Sequence, residues 1–196
     1  MENDQANNPE TPGDPRDDRP RGLYFLTDLA NAVRDDPDLP AADLRALLAR
    51  HGGPELIRAD ADADADADAR ELRTATAHLT RILDLDDQDT AADAINALLD
   101  RHPPRPRLVR LPGRPWALHT QAPPDAGPTH WLLSTGALAL GLWLTERGRC
   151  AWGRCAADGC GRYFIDTGRR TPRRYCSPRC ATRVRVAAHR TRRSDG

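Results

Sequence analysis

The chain has 196 residues, a length that fits one ordinary domain with a small module, or two small domains, rather than a single large enzyme core. Only two Phe, three Tyr and four Trp are available to fill an interior, so the core must consist mainly of Leu and Ala, which favours packed helices over a β-sandwich. All 29 basic residues are Arg, and they balance 29 acidic residues to a formal net charge of zero.

This neutral total hides an uneven distribution of charge along the chain. Residues 147–196 contain 14 Arg and three Asp, a local net charge of +11, and the first 146 residues carry −11. Clustered Arg beside cysteines is typical of a surface that binds a polyanion. Charge alone leaves three partners open, namely nucleic acid, acidic lipid and the acidic half of the chain itself.

The polar first 20 residues and the longest apolar run both bear on where the protein is located. Residues 1–20 lack the basic start and the apolar stretch of a secretory signal, so we expect a disordered, solvated tail and a cytoplasmic protein. The longest apolar run, residues 131–144, is shorter than the roughly 18 residues that would span a bilayer. It predicts a buried core helix.

Two helices are predicted at the start of the ordered region. Residues 23–33 form the first candidate, and a Pro-punctuated loop follows. Residues 41–50 form the second, which Gly52 and Gly53 should end.

Residues 59–69 alternate Ala and Asp. Asp is depleted in strands and the alternation supplies no apolar face, so we interpret the segment as a low-complexity acidic insertion that serves solvation. It leads into an amphipathic helix that starts at Arg70 and ends at the acidic run 84–87.

Three more elements should complete the first domain. A fourth helix is predicted with Asp89 as N-cap and with Ile95, Leu98 and Leu99 facing the core. Residues 107–111 and 116–120 should pair as a hairpin around the turn 112–115. A long helix over residues 129–147 then closes a helical domain that spans residues 21–148.

Four of the five cysteines have paired short spacings, Cys155-x4-Cys160 and Cys176-x3-Cys180. In a reducing cytoplasm such pairs indicate a metal site before a disulfide framework, although disulfides or free thiols are the alternative. Zinc is the expected metal, because four soft thiolates complete a tetrahedron around it. Cys150 should lie outside this site.

The residues between the cysteine pairs predict a small finger at residues 150–193. Gly159 and Gly161 should allow a tight turn whose amides face the sulfur of Cys160. Residues 163–165 predict a strand, residues 174–175 its return strand, and residues 166–171 the loop between them. Ser177 should cap a helix that begins at Pro178, as in a treble-clef finger. Tyr163 and Phe164 fit a miniature core better than base stacking.

The terminal helix divides into two surfaces. Cys180, Val184, Ala187 and Ala188 share one arc, which we expect to pack on the metal module, and the remaining surface is cationic. Such a helix can bind phosphates or enter the major groove of duplex DNA, where Arg recognises guanine. The alternative is a solvated surface, or one docked on the acidic body. His189 is interpreted as a polar surface residue, and the candidate nucleic-acid contacts are Arg173, Arg174, Arg179, Arg183, Arg185, Arg190, Arg192 and Arg193.

These C-terminal residues resemble the CGNR zinc finger, a bacterial module named for the four residues that start at its last cysteine. The resemblance rests on the two cysteine pairs, on RYFID at 162–166, on RRYCSPRC at 173–180 and on the Arg-rich helix. The chain has Cys180, Ala181, Thr182 and Arg183 at the naming positions, so it keeps the first and last of the four. The resemblance implies zinc bound by Cys155, Cys160, Cys176 and Cys180.

The N-terminal half is similar to the ABATE domain, the usual partner of this finger. TDLANA at 27–32 resembles the segment that opens that domain, and ARELRTA at 69–75 resembles its Leu-Arg-Glu segment. Such proteins are regarded as stress-induced, DNA-binding transcription regulators. Asp28 and Asn31 lie in the first segment, where a capping or buried hydrogen-bonding role is weighed against ligand contact.

The predicted fold is thus mainly α with a small β-hairpin, a helical N-terminal domain followed by a treble-clef-like zinc finger. The predicted function is zinc-dependent DNA binding in transcription regulation, with a helical sensory or dimerising domain and a small-molecule effector as a second candidate partner. An RNA-binding or protein-interaction module is the alternative. An enzyme is not expected, because four Cys leave no open metal position and no other catalytic motif is present. Chelation should unfold residues 150–193 and spare the helical domain.

Overall fold

The computed structural model describes residues 21–51, 53, 57, 62–110, 116–121, 123, 126–168 and 171–194. The predicted tail (1–20), the first residues of the Ala-Asp repeat (59–61), Gly52 and the hairpin turn (112–115) lie outside the described residues. Within the described part of the chain, no helix is both long and apolar enough to cross a membrane.

Six helices and two small antiparallel sheets make up the described part. In chain order they are α1 (Arg21–Asp35), α2 (Ala41–Arg50), α3 (Asp62–Leu83), α4 (Gln88–Arg101), β1 (Pro106–Arg110), β2 (Trp116–Thr120), α5 (Pro128–Arg147), β3 (Trp152–Arg154), β4 (Tyr163–Ile165) and α6 (Pro178–Ser194).

The α5 helix forms the centre of the helical domain, as the long apolar run predicts. It packs most extensively against α3 and α4 and also contacts α1. A side chain at Gly136 would lie 2.7 Å from Leu79, so the missing Cβ lets α5 approach α3 closely. The buried side chains of α5 are contributed all around the helix, which is why its sequence is apolar rather than amphipathic.

The predicted segments of the first two helices are confirmed. The α1 helix extends the predicted segment by two residues at each end, and α2 has the predicted bounds. Leu44, Leu47 and Leu48 are buried on one side of α2, which packs on α1 and α3. The second helix therefore closes one side of the core.

The Ala-Asp repeat differs from its prediction. Residues 62–69 form the first two turns of α3 rather than an insertion, and Ala65 and Ala69 are buried four residues apart. Ala has the highest helix propensity, and the alternation places an Ala on the inner side at every helical turn, so the helix period prevails over the strand-like pattern. The interpretation of these residues as mere solvation is wrong, since even Asp68 is buried.

The start of α4 also differs. Asp87, not Asp89, is the N-cap, and its carboxylate accepts hydrogen bonds from the backbone N–H and the hydroxyl of Thr90. Asp89 lies in the first turn, where its carboxylate interacts favourably with the positive end of the helix dipole. Ile95 and Leu98 are buried as predicted.

The predicted hairpin is confirmed, with β1 and β2 paired from Pro106 opposite Thr120 to Arg110 opposite Trp116. The sheet of the finger is different from its prediction. Its partner strand is the upstream β3, which pairs antiparallel with β4, and residues 174–175 form no strand. The chain after the loop is held instead by the Asp166 side chain, which accepts from the Arg173 N–H.

One continuous hydrophobic core joins the helical domain to the finger. Ala151, Trp152, Tyr163 and Ile165 belong to the same buried cluster as the leucines of α1, α3 and α5. The predicted fold class is confirmed, a mainly helical protein with a small hairpin and a C-terminal cysteine cluster. The boundary expected near residue 150 does not separate two cores.

Candidate metal centre and nucleic-acid interface

The structure brings together the four cysteines that the spacing singled out. The sulfurs of Cys155, Cys160, Cys176 and Cys180 all lie within 4.8 Å of one another. Cys160, Cys176 and Cys180 form a triangle with 3.7 Å between each pair of Sγ atoms. All five cysteines of the chain are described, and none is in a disulfide.

The first cysteine pair sits on a tight turn after β3. Gly159 and Gly161, with φ of 69° and 60°, occupy the left-handed region that glycine favours. This turn aims the N–H of Arg162 at the Cys160 sulfur, and the hydrogen bond lowers the pKa of Cys160 to about 7. The predicted role of the two glycines is confirmed.

The second cysteine pair sits at the start of α6. Ser177 Oγ accepts the Cys180 N–H at 3.3 Å and thus caps the helix that begins at Pro178, as predicted. Burial, followed by the neighbouring thiols, raises the pKa of Cys176 to about 12. The local environment therefore favours the thiolate of Cys160 and disfavours that of Cys176.

This arrangement fits a structural zinc ion. Zn–S bonds of about 2.3 Å in a tetrahedron place the sulfurs about 3.8 Å apart, close to the observed 3.7 Å. A divalent cation also removes the repulsion among thiolates that the crowded cluster creates. Four thiolates would saturate such an ion and leave no position for water, as in structural zinc sites.

Cys150 lies apart from the cluster. Its thiol donates to the carbonyl oxygen of Asp87 across 3.6 Å, at the start of α4. Burial, together with the carboxylates of Asp86 and Asp87, raises the pKa of Cys150. A protonated, half-buried thiol of this kind packs as a small apolar group.

Metal content should distinguish the two kinds of cysteine. We expect Cys150→Ser to retain one zinc ion per chain, and Cys176→Ser to lose it because three sulfurs cannot close the tetrahedron. Elemental analysis of the purified chains measures this directly. Equal loss of zinc in both variants would contradict the four-cysteine site.

Asp166 holds the loop between the two cysteine pairs, a role that the sequence analysis missed. Its carboxylate is buried, pairs with Arg149 at 2.5 Å and accepts the N–H groups of Gly168 and Arg173. Burial raises the pKa of Asp166, but these donors outweigh it and hold the pKa below its usual value. In the sequence, Asp166 is the only acidic residue of the Arg-rich stretch 159–194, and this isolation is the signal that could have found it.

The candidate nucleic-acid contacts are distributed over the finger and α6. Arg179, Arg183, Arg185 and Arg190 have exposed side chains on α6, and Arg173 and Arg174 are exposed just before it. The side chains of His189, Arg192 and Arg193 lie outside the described residues.

Two of these arginines are held by the finger itself. Arg183 donates to the carbonyl oxygen of Asp158 at 3.0 Å, and Arg173 donates to that of Cys176 at 3.0 Å. Both carbonyls belong to the segments that carry the metal ligands. The exposed guanidinium groups are thereby fixed relative to the cysteine cluster.

The predicted packing arc of α6 is correct only near the cysteine cluster. Val184 is half-buried, whereas Ala187 and Ala188 are exposed. The reason is length, because 17 residues make a helix of about 25 Å, longer than the small finger that supports its start. The C-terminal half of α6 projects away from the cysteine cluster.

Comparison with protein families assigns both parts of the chain. Residues 25–153 match the ABATE model, described as "Putative stress-induced transcription regulator", and residues 152–193 match the CGNR zinc finger. The first match alone covers more than half of the chain. The chain belongs to the ABATE family. Both resemblances found in the sequence are confirmed, and a search of curated proteins found no match.

The ABATE domain and the finger are joined by Asn31 of α1. The amide of Asn31 donates to the Tyr163 carbonyl at 3.0 Å and accepts the Tyr163 N–H at 2.8 Å. The side chain therefore pairs with β4 as a neighbouring strand would, and it is buried. This is the buried hydrogen-bonding role expected for Asn31.

Asp28, on the same helix, makes its contact within the helical domain rather than with the finger. Its carboxylate pairs with His51 at 3.0 Å and is half-exposed. The pair lies between α1 and the end of α2, so it links two elements of the ABATE domain rather than the domain and the finger. The structure does not bring Asp28 and Asn31 into one ligand site.

Further contacts between the ABATE domain and the finger surround Asn31. Arg34 donates to the Cys160 carbonyl at 2.6 Å, directly at a candidate metal ligand. The indole N–H of Trp152 donates to the carbonyl of Ile82 at 3.1 Å. Arg154 pairs with Asp84 and lies over the Tyr163 ring at 4.8 Å. The finger is thus anchored on α1 and on the end of α3.

Proposed function

We propose that the chain is a zinc-dependent DNA-binding regulator of transcription that acts in the cytoplasm. In this proposal the CGNR finger presents α6 to duplex DNA, and the ABATE domain serves as a sensory or dimerising domain, with a small-molecule effector as a candidate ligand. The observation that carries the proposal is a cationic helix whose first turn contains a candidate metal ligand, Cys180.

The shape of α6 supports this use. A helix that projects from a small support and exposes its arginines can enter the major groove, which admits an α-helix. Its first turn is fixed by Cys180 and by the Ser177 cap, so its direction is set by the cluster. Bound zinc would supply four Zn–S bonds that hold this geometry.

The electrostatics favour a polyanion over docking on the acidic half of the chain. Arg183 and Arg185 donate to acceptors within the finger and within α6 itself. Their side chains remain exposed, so each guanidinium keeps donors available for phosphate or for guanine. Part of the net charge of +11 over residues 147–196 is paired with the ABATE domain, since Arg154 pairs with Asp84 and Arg162 with Asp35. The arginines of α6 would attract DNA over a distance set by the salt concentration.

DNA binding should weaken steeply with salt. An interface with about six phosphate contacts should give a log–log salt slope near −5, by the factor of about 0.9 per contact. Arg183→Ala should change sequence preference, because this arginine is held rigidly near the metal. The double variant Arg192→Ala/Arg193→Ala, near the end of the helix, should weaken all duplexes evenly and reduce the slope by up to about two units.

Binding isotherms at several salt concentrations measure these effects on duplex DNA and on RNA. Arg81→Ala, an exposed arginine of α3, is the matched control and should leave affinity unchanged. If the α6 variants bind every duplex as the unaltered chain does, with zinc retained, the DNA-binding proposal is wrong. Tighter binding to RNA would favour the alternative of an RNA-binding module.

A further inference from the structure

The β1–β2 hairpin carries an uncovered apolar face. Leu108 and Leu118 are directly opposite each other, and Trp116 points to the same side as Leu118, two residues away. Their side chains are 68%, 43% and 64% exposed. A two-stranded hairpin is marginally stable alone, and clustered exposed apolar groups mark interaction sites.

The same hairpin is basic within an otherwise acidic half of the chain. Residues 101–124 contain five Arg and no acidic residue, although the first 146 residues carry a net charge of −11. Arg105, Arg107 and Arg110 are exposed beside the apolar face. A partner must therefore offer apolar surface and negative charge together.

An acidic surface lies at the same end of the helical domain. The ring of His102 packs edge-to-face on that of His130, with centroids 5.6 Å apart, which places the base of the hairpin at the start of α5. Thr129, at the same start, donates to Glu71 of α3 at 3.2 Å. The turns of α3 that precede Glu71 carry the exposed Asp64 and Asp66.

We propose that the hairpin is a self-association surface that docks on a second copy of this chain. The apolar face would be covered by the other copy, and the hairpin arginines would face the acidic start of its α3. Because both surfaces lie at one end of each molecule, a twofold axis can bring each hairpin to the other copy's acid. The proposal is independent of DNA binding.

Charge distinguishes this arrangement from two others. Pairing of two hairpins through their β1 edges would bring Arg107 and Arg110 of both copies together, and their repulsion would be destabilising. Docking of nucleic acid on the hairpin would bring phosphates toward Asp64, Asp66 and Glu71 and would leave Leu108 and Trp116 without an apolar partner. A second copy offers both, an apolar surface on the face of its own hairpin and negative charge at the start of its α3.

Sedimentation of the full, zinc-loaded chain without DNA tests the proposal. The unaltered chain should be a dimer, and Leu108→Ser/Trp116→Ser should raise the dimer dissociation constant by at least about tenfold. Leu142→Ser is the matched control, because Leu142 is an exposed leucine of α5 outside the hairpin, and it should leave the dimer intact. Unchanged zinc content and circular dichroism show that each variant is folded.

A charge exchange tests which surface the hairpin meets. Arg107→Glu/Arg110→Glu should weaken the dimer, and the addition of Asp64→Arg/Asp66→Arg in the same chain should restore it. A monomeric unaltered chain, a dimer indifferent to the hairpin variants, or a failed restoration would each overturn the proposal. If the hairpin variants lose DNA affinity while the dimer is unchanged, the hairpin binds nucleic acid rather than a second copy.

Discussion

Removal of zinc should unfold α6 and the two cysteine-bearing segments while β3, β4 and the ABATE domain stay folded. Structural zinc contributes on the order of 10 kcal/mol or more in small finger peptides, so the segments that depend on it should lose their order completely. Hydrogen exchange of the chelated chain should therefore show lost protection over residues 155–162 and 173–190.

The structure revises the expectation that chelation unfolds all of residues 150–193. Trp152 and Tyr163 belong to the continuous core and keep hydrogen bonds to Ile82 and Asn31, none of which involves the metal. Amides of β3 and β4 should accordingly stay protected. Unfolding of the entire chain on chelation, or no change at all, would contradict this division.

Zinc removal also provides a control for DNA binding. A chain whose α6 has unfolded should lose affinity for duplex DNA, and stoichiometric zinc should restore it. The dimer expected from the hairpin should persist, because the hairpin lies at the start of α5 and the finger follows its end. The two proposals can thus fail separately.

Local signals in the sequence were sufficient to predict most of the helices. The leucine spacing of α2 reflects contacts on one helix face, which periodicity records directly. The long apolar run predicted α5 by its length and composition, because that helix is buried on nearly all sides. The cysteine pairs are equally local, since each pair sits within one turn, and only the distance between pairs depends on the fold.

The wrong secondary-structure predictions concern segments in which two local signals compete, or in which a residue elsewhere in the chain determines the conformation. The Ala-Asp repeat matches a strand in period and a helix in propensity, and burial of Ala65 and Ala69 against the core favours the helix. Residues 174–175 form no return strand on β4, because β4 pairs with β3 instead. The Arg173 N–H donates to the Asp166 side chain, and the Arg174 carbonyl accepts the N–H of Ala156, just after β3. Neither outcome is recorded in the segment itself.

The pairing of Asn31 with Tyr163 joins residues 132 positions apart. The sequence predicts a capping or buried hydrogen-bonding role for Asn31 but contains no signal for its partner, because a side chain that mimics a strand leaves no periodic pattern. The β4 strand is therefore completed by a residue of α1. This contact couples the ABATE domain to the finger.

Asn31→Ala should destabilise the chain strongly. The substitution leaves the N–H and the carbonyl of Tyr163 buried without partners, and each unsatisfied group costs about 1–3 kcal/mol. We expect the free energy of unfolding, measured with urea on the zinc-loaded chain, to fall by about 2–5 kcal/mol. Asp28→Ala is the matched control on the same helix and should cost about 1 kcal/mol or less, since its pair with His51 is partly exposed.

Asn31→Asp separates hydrogen bonding from packing, because the two side chains have nearly the same shape. The ionised carboxylate would still accept the Tyr163 N–H but would repel the Tyr163 carbonyl, and the protonated acid could donate to it. Folding should therefore raise the pKa of the introduced acid, so its stability relative to Asn31→Ala should increase as the pH falls and be lost as the pH rises through that pKa. Both variants share the same zinc site, so acid effects on the thiolates cancel in the comparison. An equal pH response in the two variants would show that Asn31 acts through packing alone.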